Sequence, residues 1–216
     1  MDGYEKEKLP NLTDGEGKIF MEDLGEWAQQ TLIDVALPTA ESDKEIAALF
    51  TMGEEIVKLQ SGNICRTLGG KQLGHSATSS VGTICSVDLG FIKFEEKTIY
   101  FASHCSIRRH RFSTKGVLVM NAQWYKNRRV AIRAHPSDGK LDLIYSNLNL
   151  RQYCLAAKRS ESGNHMPHPD IRTQSIRSHI MPFPRPMQIY ADGSLVGKAL
   201  KIEIGIAHRV IKVVVH

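Results

Sequence analysis

Residues 187–206, MQIYADGSLVGKALKIEIGI, decide the fold of this 216-residue chain. Apolar residues alternate with other residues on both sides of Asp192-Gly193, which is the pattern of two half-buried β-strands. Aspartate tolerates unusual backbone angles and glycine adopts positive φ freely, so the pair predicts a tight hairpin turn. The carboxylate of Asp192 would then lie at the lip of a buried sheet. It is either a proton acceptor or only part of the commonest hairpin signal.

Composition is that of a soluble globular protein, with 42% hydrophobic and 7% aromatic residues. No apolar run reaches the length of a membrane span, and the acidic amino terminus MDGYEKEKLP does not resemble a signal peptide. We therefore expect a cytoplasmic location. The four cysteines lack a C-x-x-C pair, which predicts reduced and mostly buried thiols rather than a zinc site.

Charge divides the chain into two unequal parts. Residues 1–60 hold 14 of the 23 acidic residues and 5 of the 28 lysines and arginines, whereas residues 61–216 hold the remainder. The first part therefore carries a net charge of −9 and the second +14. A domain as basic as the second part is typical of proteins that meet phosphates, anionic lipids or nucleic acid.

One basic run stands close to aromatic residues. The cations that we select as a candidate lipid or phosphate surface are Arg108, Arg109, Arg111, Arg128 and Arg129. Trp124 and Tyr125 lie between the two groups, and interfacial aromatics next to cations are typical of membrane-binding surfaces. A solvated basic face is the alternative. We do not expect nucleic-acid binding, because no recognised reader motif is present.

Local patterns predict the main elements. Residues 83–94, 98–104 and 116–121 have β-branched, partly alternating sequences that predict strands. Residues 149–158 have apolar residues at helical spacing with Asn149 as a plausible cap. Residues 45–59 predict a helix with Gly53 as a weak point, and a short strand inside this segment is the alternative.

The carboxy-terminal pattern resembles that of the diacylglycerol kinase catalytic family, which includes sphingosine kinases and bacterial lipid kinases. The resemblance rests on Tyr190-Ala191-Asp192-Gly193, on Gly197 and on the strands that follow. It implies that Asp192 is the catalytic base acting on a lipid hydroxyl. The family has glutamate after this Asp-Gly pair, whereas this chain has Ser194.

Two further segments are similar to motifs of this family. Residues 61–70 match the second half of a nucleotide-side loop at Arg66, Leu68 and Gly69, which implies that Asn63 and Arg66 contact a cofactor. The alternative is that Arg66 is an ordinary surface arginine. Residues 136–142 resemble a turn that is associated with structural magnesium, which implies metal ligation by Asp138 and Asp142. Two oxygens would hold magnesium weakly, since this ion prefers six ligands.

The resemblance implies an α+β fold. Residues 61–216 would form a basic, β-rich, sandwich-like domain of lipid-kinase type. Residues 1–60 would form a short, acidic and atypical α/β segment related to the NAD kinase and diacylglycerol kinase superfamily.

Two functions are compatible with this resemblance. The first is ATP-dependent and Mg²⁺-dependent phosphoryl transfer to a lipid hydroxyl of diacylglycerol or sphingoid type. The second is non-catalytic lipid or phosphate binding, because the family's Gly-Gly-Asp-Gly-Thr segment for ATP is not found in the sequence. Expected partners are an anionic membrane surface and a second copy or another chain.

Overall fold

The computed structural model describes residues 27–32, 37–70 and 81–216. The first strands and helices in chain order are β1 (Ala28–Leu32), β2 (Thr39–Ala40), α1 (Asp43–Thr51), β3 (Ile56–Leu59), α2 (Asn63–Thr67), β4 (Val81–Phe94) and β5 (Lys97–Phe101). The others are β6 (His104–Arg108), β7 (Lys115–Met120), β8 (Trp124–Tyr125), β9 (Arg128–Arg129), β10 (Leu141–Asn147), α3 (Leu150–Arg159), β11 (Ile171–Ile176), β12 (Ser178–Ala191) and β13 (Ser194–Val215). None of the helices described is long and apolar enough to cross a membrane.

Most strands in the described ranges join a single large sheet. Its main path runs β1-β4-β13-β12-β6-β7-β10-β11, with β5 added to β4 and the parallel strands β2 and β3 added beside β13. Strands β8 and β9 form a separate small hairpin. The β-rich character predicted from the sequence is therefore confirmed, and almost all of the pairing is antiparallel.

The predicted hairpin is formed by two long neighbouring strands of the sheet. Strands β12 and β13 pair from Ala191 and Ser194 outward, so Asp192 and Gly193 form the turn. Strand β13 continues as a single strand to Val215. The β13–β4 pairing is interrupted by an irregularity between Ala207 and Ile211 and then resumes.

The principal core lies where the sheet curves on itself. One cluster of buried side chains includes Ile92 of β4 and Leu143 of β10, although four strands separate β4 from β10 in the sheet order. Ile189 and Ile202, from the two strands of the central hairpin, lie in the same cluster. The sheet therefore wraps around a shared core in a sandwich-like manner.

A second cluster attaches residues 37–70 to the sheet. Ile46 of α1 and Val57 of β3 are buried with Val213 of β13, and β3 pairs with β13 in parallel. The helix predicted over residues 45–59 ends at Thr51, because Gly53 has a φ of +96° and residues 56–59 alternate as a strand. The division of the chain at residue 60 stays a prediction, although strands from both sides share the sheet.

Helix α3 is present as predicted. The Asn149 side chain accepts a hydrogen bond from the Gln152 N–H, and the Gln152 side chain accepts one from the Asn149 N–H. This reciprocal capping box satisfies two N–H groups that would otherwise have no partner at the helix start. The predicted strand over residues 98–104 is instead divided, because the chain bends at residues 102–103 between β5 and β6.

Candidate functional site

The Asp192 side chain is anchored beneath the turn that its own backbone forms. Asp192 and Gly193 have φ angles of +42° and +83°, as expected for a tight hairpin turn. The side chain is 3% exposed. It accepts hydrogen bonds from the N–H groups of Ala102, Ser103 and His104 at 2.7, 2.9 and 3.0 Å. The carboxylate therefore fastens the β12–β13 turn to the connection between β5 and β6.

A second buried carboxylate, Asp43, lies on the first turn of α1. Its oxygens accept hydrogen bonds from the N–H groups of Asn63 and Ile64, each at 2.9 Å. A Cβ at Gly62 would lie 2.5 Å from Asp43 Oδ1, so glycine is needed for this approach. No motif marks Asp43 in the sequence, because an acidic residue at a helix start is common for reasons of capping alone.

Two polar residues connect these carboxylates. Asn63 Nδ2 donates to Asp43 Oδ2 at 2.9 Å and to Ser103 Oγ at 3.0 Å, and the Ser103 N–H donates to Asp192. We refer to Asp43, Asn63, Ser103, His104 and Asp192 as the carboxylate cluster. Burial, followed by the charge of Asp43, raises the pKa of Asp192 to about 7, against the opposing effect of its three N–H donors. Burial also raises the pKa of Asp43.

His104 lies at the edge of the carboxylate cluster. Its Nδ1 is 3.2 Å from Ser103 Oγ and 3.7 Å from Asp192 Oδ1, which is too long for a hydrogen bond. Burial lowers the pKa of His104 to about 4, and the charges of Arg108 and Lys126 add to this effect. The imidazole is therefore neutral near pH 7. Its ring meets that of Tyr125 edge to face, with the centroids 4.7 Å apart.

The geometry limits what Asp192 can do in this arrangement. A general base needs an oxygen within about 3 Å of the proton that it removes. Both oxygens of Asp192 already accept backbone hydrogen bonds, and the side chain is closed to solvent. A substrate hydroxyl would reach it only after residues 102–104 had moved. The catalytic role of Asp192 stays a prediction.

The two predicted cofactor contacts, Asn63 and Arg66, are both engaged with the protein. The Asn63 amide belongs to the carboxylate cluster. Arg66 lies 4.4 Å over the Trp124 ring, and its Nη1 donates to Asn127 Oδ1 at 3.2 Å. These contacts join α2 to the β8–β9 hairpin. Contact of Asn63 and Arg66 with a nucleotide stays a prediction.

The predicted magnesium ligands lie at the start of β10. Asp138 Oδ1 accepts a hydrogen bond from the Lys140 N–H at 2.9 Å. Burial is the main cause that raises the pKa of Asp138 and of Asp142. Within the described ranges, no group of three or more His, Cys, Asp or Glu side chains comes together as a metal site. The two carboxylates alone do not fit the six-ligand shell of Mg²⁺, so this assignment also stays a prediction.

Asp88 organises the turn that carries Asp138. Its side chain is fully buried in β4. It accepts hydrogen bonds from the N–H groups of Gly139 at 2.7 Å and Arg209 at 2.6 Å, and it faces His208 Nδ1 at 2.8 Å. The signal that could have revealed Asp88 is its charge in the middle of the otherwise uncharged run of residues 84–92, since a buried charge must be paired.

The predicted basic surface separates into two groups. Arg109 and Arg111 are exposed at the tip of the β6–β7 hairpin. The other three are held by internal contacts. Arg108 Nη2 donates to Ser106 Oγ at 2.7 Å, Arg128 Nε donates to the Ala157 carbonyl at 2.8 Å, and Arg129 Nε donates to Gln123 Oε1 at 3.1 Å.

A cavity of about 160 Å³ lies between α3 and the sheet strands β6, β7 and β10. Three cations, Arg108, Lys115 and Arg128, line it, and none of its described lining residues is acidic. Tyr125 also lines it, so the cavity begins next to His104 of the carboxylate cluster. The apolar lining residues are Ile107, Val117, Leu118, Val130, Ile144, Leu148, Ala156, Ala157 and Ile171.

One polar group stands out on the cavity wall. His165 is 6% exposed, and its ring nitrogens make only weak contacts with the backbone at Val130 and Gly163. Burial lowers the pKa of His165, against a smaller opposing effect of the backbone at Val130 and Gly163. A neutral imidazole presents one donor and one acceptor. It can therefore contact a hydroxyl or carbonyl of a molecule in the cavity.

A β-rich sheet wrapped around one core, with an Asp-Gly hairpin at its centre, places this chain in the diacylglycerol kinase-like fold class. Two solved structures share this fold, each named as a putative diacylglycerol kinase from Bacillus anthracis str. Sterne. One has a TM-score of 0.53 and the other 0.50; each is 10% identical in sequence, and the match covers 74% of this chain and 69% of that chain.

The resemblance seen in the sequence is thus confirmed at the level of the fold. No family model and no curated protein matches the sequence. At this identity the likeness carries no activity with it, and function has to be argued from the site.

Proposed function

We propose that this lipid-kinase-like protein binds a single-chain amphiphile with an anionic headgroup. The observation that carries the proposal is the cavity beneath α3, which has an apolar wall and the cations Arg108, Lys115 and Arg128 in its lining. An apolar chain gains free energy when it leaves water, and a phosphate gains charge-assisted hydrogen bonds from arginine. The cavity offers both an apolar wall for the chain and cations for the phosphate.

The size of the cavity favours one chain. An apolar cavity of about 150 Å³ is known to hold one benzene molecule. The cavity here is similar, at about 160 Å³, so it accepts a segment of a single chain rather than two complete acyl chains.

We expect octyl phosphate to bind at least about tenfold more tightly than octyl glucoside or inorganic phosphate, because only octyl phosphate uses both the apolar wall and the cations. Isothermal titration calorimetry with each compound in monomeric form measures this. Ala157→Leu should lower the affinity by about tenfold or more, because the larger side chain projects into the cavity.

Cys154→Leu is the matched control, because Cys154 lies on the same helix but is exposed and outside the cavity lining. Its affinity should equal that of the unmodified chain. Arg128→Gln should weaken octyl phosphate and leave octyl glucoside unchanged. Equal affinities for the two octyl compounds, or no effect of Ala157→Leu, would contradict the proposal.

Phosphoryl transfer to a lipid hydroxyl is the second candidate. The observation that favours it is the pKa of Asp192, which burial raises to about 7, where a general base works best near neutral pH. In that role Asp192 would accept the hydroxyl proton after residues 102–104 open. ATP and Mg²⁺ would have to be held by residues other than the pairs Asn63–Arg66 and Asp138–Asp142 alone.

We expect Mg-ATP at millimolar concentration to leave the melting temperature unchanged, because no glycine-rich phosphate cradle is found in the sequence. A ligand that binds only the native state must raise the melting temperature. Thermal unfolding with and without Mg-ATP measures the effect, with octyl phosphate as the positive control. A clear rise with Mg-ATP would favour the kinase, and assays on monoacylglycerol, diacylglycerol and sphingoid bases would follow.

A further inference from the structure

The tip of the β6–β7 hairpin presents a large aromatic side chain to solvent. Phe112 is 86% exposed, more than any other large hydrophobic residue described. The tip has a defined shape, because the Ser113 N–H donates to the His110 carbonyl at 3.0 Å. Arg108 Nη1 also donates to the Arg111 carbonyl at 3.1 Å. Phe112 is therefore held outward by a hydrogen-bonded turn.

The charge around Phe112 has one sign. The sequence contains no acidic residue between Glu96 and Asp138, while residues 97–137 contain nine lysines and arginines. Arg109, Arg111 and Lys115, on both sides of Phe112, are exposed. An apolar side chain ringed by cations is complementary to a bilayer that contains anionic lipid.

The tip also adjoins the cavity. The Thr114 hydroxyl donates to the Leu148 carbonyl at 2.7 Å, which fixes the tip beside the start of α3. Thr114 and Lys115 line the cavity, as does Tyr153, which is 44% exposed. Leu150, on the first turn of α3, adds a second apolar side chain that is 71% exposed. The cavity is thus lined in part by residues of the exposed β6–β7 tip and of the adjoining face of α3.

We propose that this tip docks on an anionic bilayer, with Phe112 inserted among the headgroups and Arg109, Arg111 and Lys115 on lipid phosphates. Docking does not require the cavity to bind a lipid, although Lys115 belongs to both surfaces. The consequence that a lipid passes from the bilayer into the cavity rests on the proposed function. We refer to residues 109–115 as the docking tip.

Flotation with vesicles tests the docking. The chain should bind vesicles of phosphatidylcholine with phosphatidylglycerol and not vesicles of phosphatidylcholine alone, and salt should release it, because exposed charges are screened. Phe112→Ala should weaken binding about tenfold or more, and Arg109→Gln with Arg111→Gln by a similar factor. Met52→Ala is the matched control, because Met52, the residue that follows α1, is 78% exposed.

A second variant reports insertion directly. Phe112→Trp should show a blue-shifted fluorescence with anionic vesicles and should be quenched by lipids brominated on their chains. Unchanged flotation of Phe112→Ala, or unquenched fluorescence of Phe112→Trp, would overturn the insertion. Equal binding to neutral and anionic vesicles, or tighter binding to duplex DNA than to anionic vesicles, would overturn the choice of partner.

The two proposals fail in different ways. Phe112→Ala should keep its affinity for monomeric octyl phosphate, because Phe112 does not line the cavity. If the cavity is not a lipid site, the unmodified chain will bind vesicles but not octyl phosphate. If the docking is wrong, it will bind octyl phosphate but not vesicles.

Discussion

Replacement of Asp192 by alanine is expected to lower the free energy of unfolding by about 3 kcal/mol or more. Three backbone N–H groups would lose their acceptor, and each unsatisfied donor costs about 1–3 kcal/mol. Alanine would also have to adopt the left-handed backbone at this position, which costs about 1 kcal/mol further. In a domain of this size the melting temperature should fall by about 6 °C or more, measured by circular dichroism.

Asp192→Asn is the matched variant, because asparagine tolerates the left-handed conformation and keeps one acceptor oxygen. Its loss of stability should be smaller. An aspartate with a pKa raised from 3.8 to about 7 contributes its full stability below 3.8 and loses it as pH rises through 7. Asparagine does not titrate, so its deficit should be largest near pH 4 and smaller at pH 8. A deficit that grows with pH would contradict the raised pKa.

Replacement of Asp88 by alanine is the second large expected effect. The buried N–H group of Gly139 and the part-buried N–H group of Arg209 would lose their acceptor, so the free energy of unfolding should fall by about 2 kcal/mol or more. Amide hydrogen exchange should rise in residues 136–140 and 207–211, because Asp88 joins both segments to β4. Hydrogen exchange measured by mass spectrometry follows both segments at once.

His208→Gln tests the contact between His208 and Asp88 separately from the two N–H groups that donate to Asp88. The His208 side chain is 50% exposed, so its loss should cost less than about 1 kcal/mol and leave exchange at residues 136–140 unchanged. If Asp88→Ala left exchange in both segments as it was, Asp88 would not be their anchor.

The elements that could be predicted from the sequence are those with local signals. Asp192-Gly193 specifies its hairpin through backbone angles, and Asn149 specifies the start of α3 through a capping box that spans residues 149–152. The helix over residues 45–59 was predicted too long. The alternation of Ile56–Leu59 covers only four residues, which is too short to indicate a strand in the sequence. This strand is stabilised by pairing with β13, which is distant in the chain.

The candidate site was harder to predict from the sequence, because the residues that contact each other there are far apart in the chain. Asp192 binds residues 102–104 across about ninety positions, and no pattern near Asp192 indicates which amides it will meet. Arg108 and Arg109 were both predicted to lie on the exposed basic surface, because the sequence did not indicate where β6 ends. Arg108 is the last residue of β6, and its side chain is half-buried. Arg109 follows the strand and is exposed.

The location of a bound lipid chain tests the central claim most directly. An alkyl phosphate with a photoreactive diazirine near the end of its chain can be cross-linked to the protein, and the labelled residues can be read by mass spectrometry. We predict labels on cavity residues such as Val117, Ile144 and Leu148, and their loss in Ala157→Leu. Labels confined to other exposed apolar residues, such as Leu195 and Leu200, and unaffected by Ala157→Leu, would contradict the account.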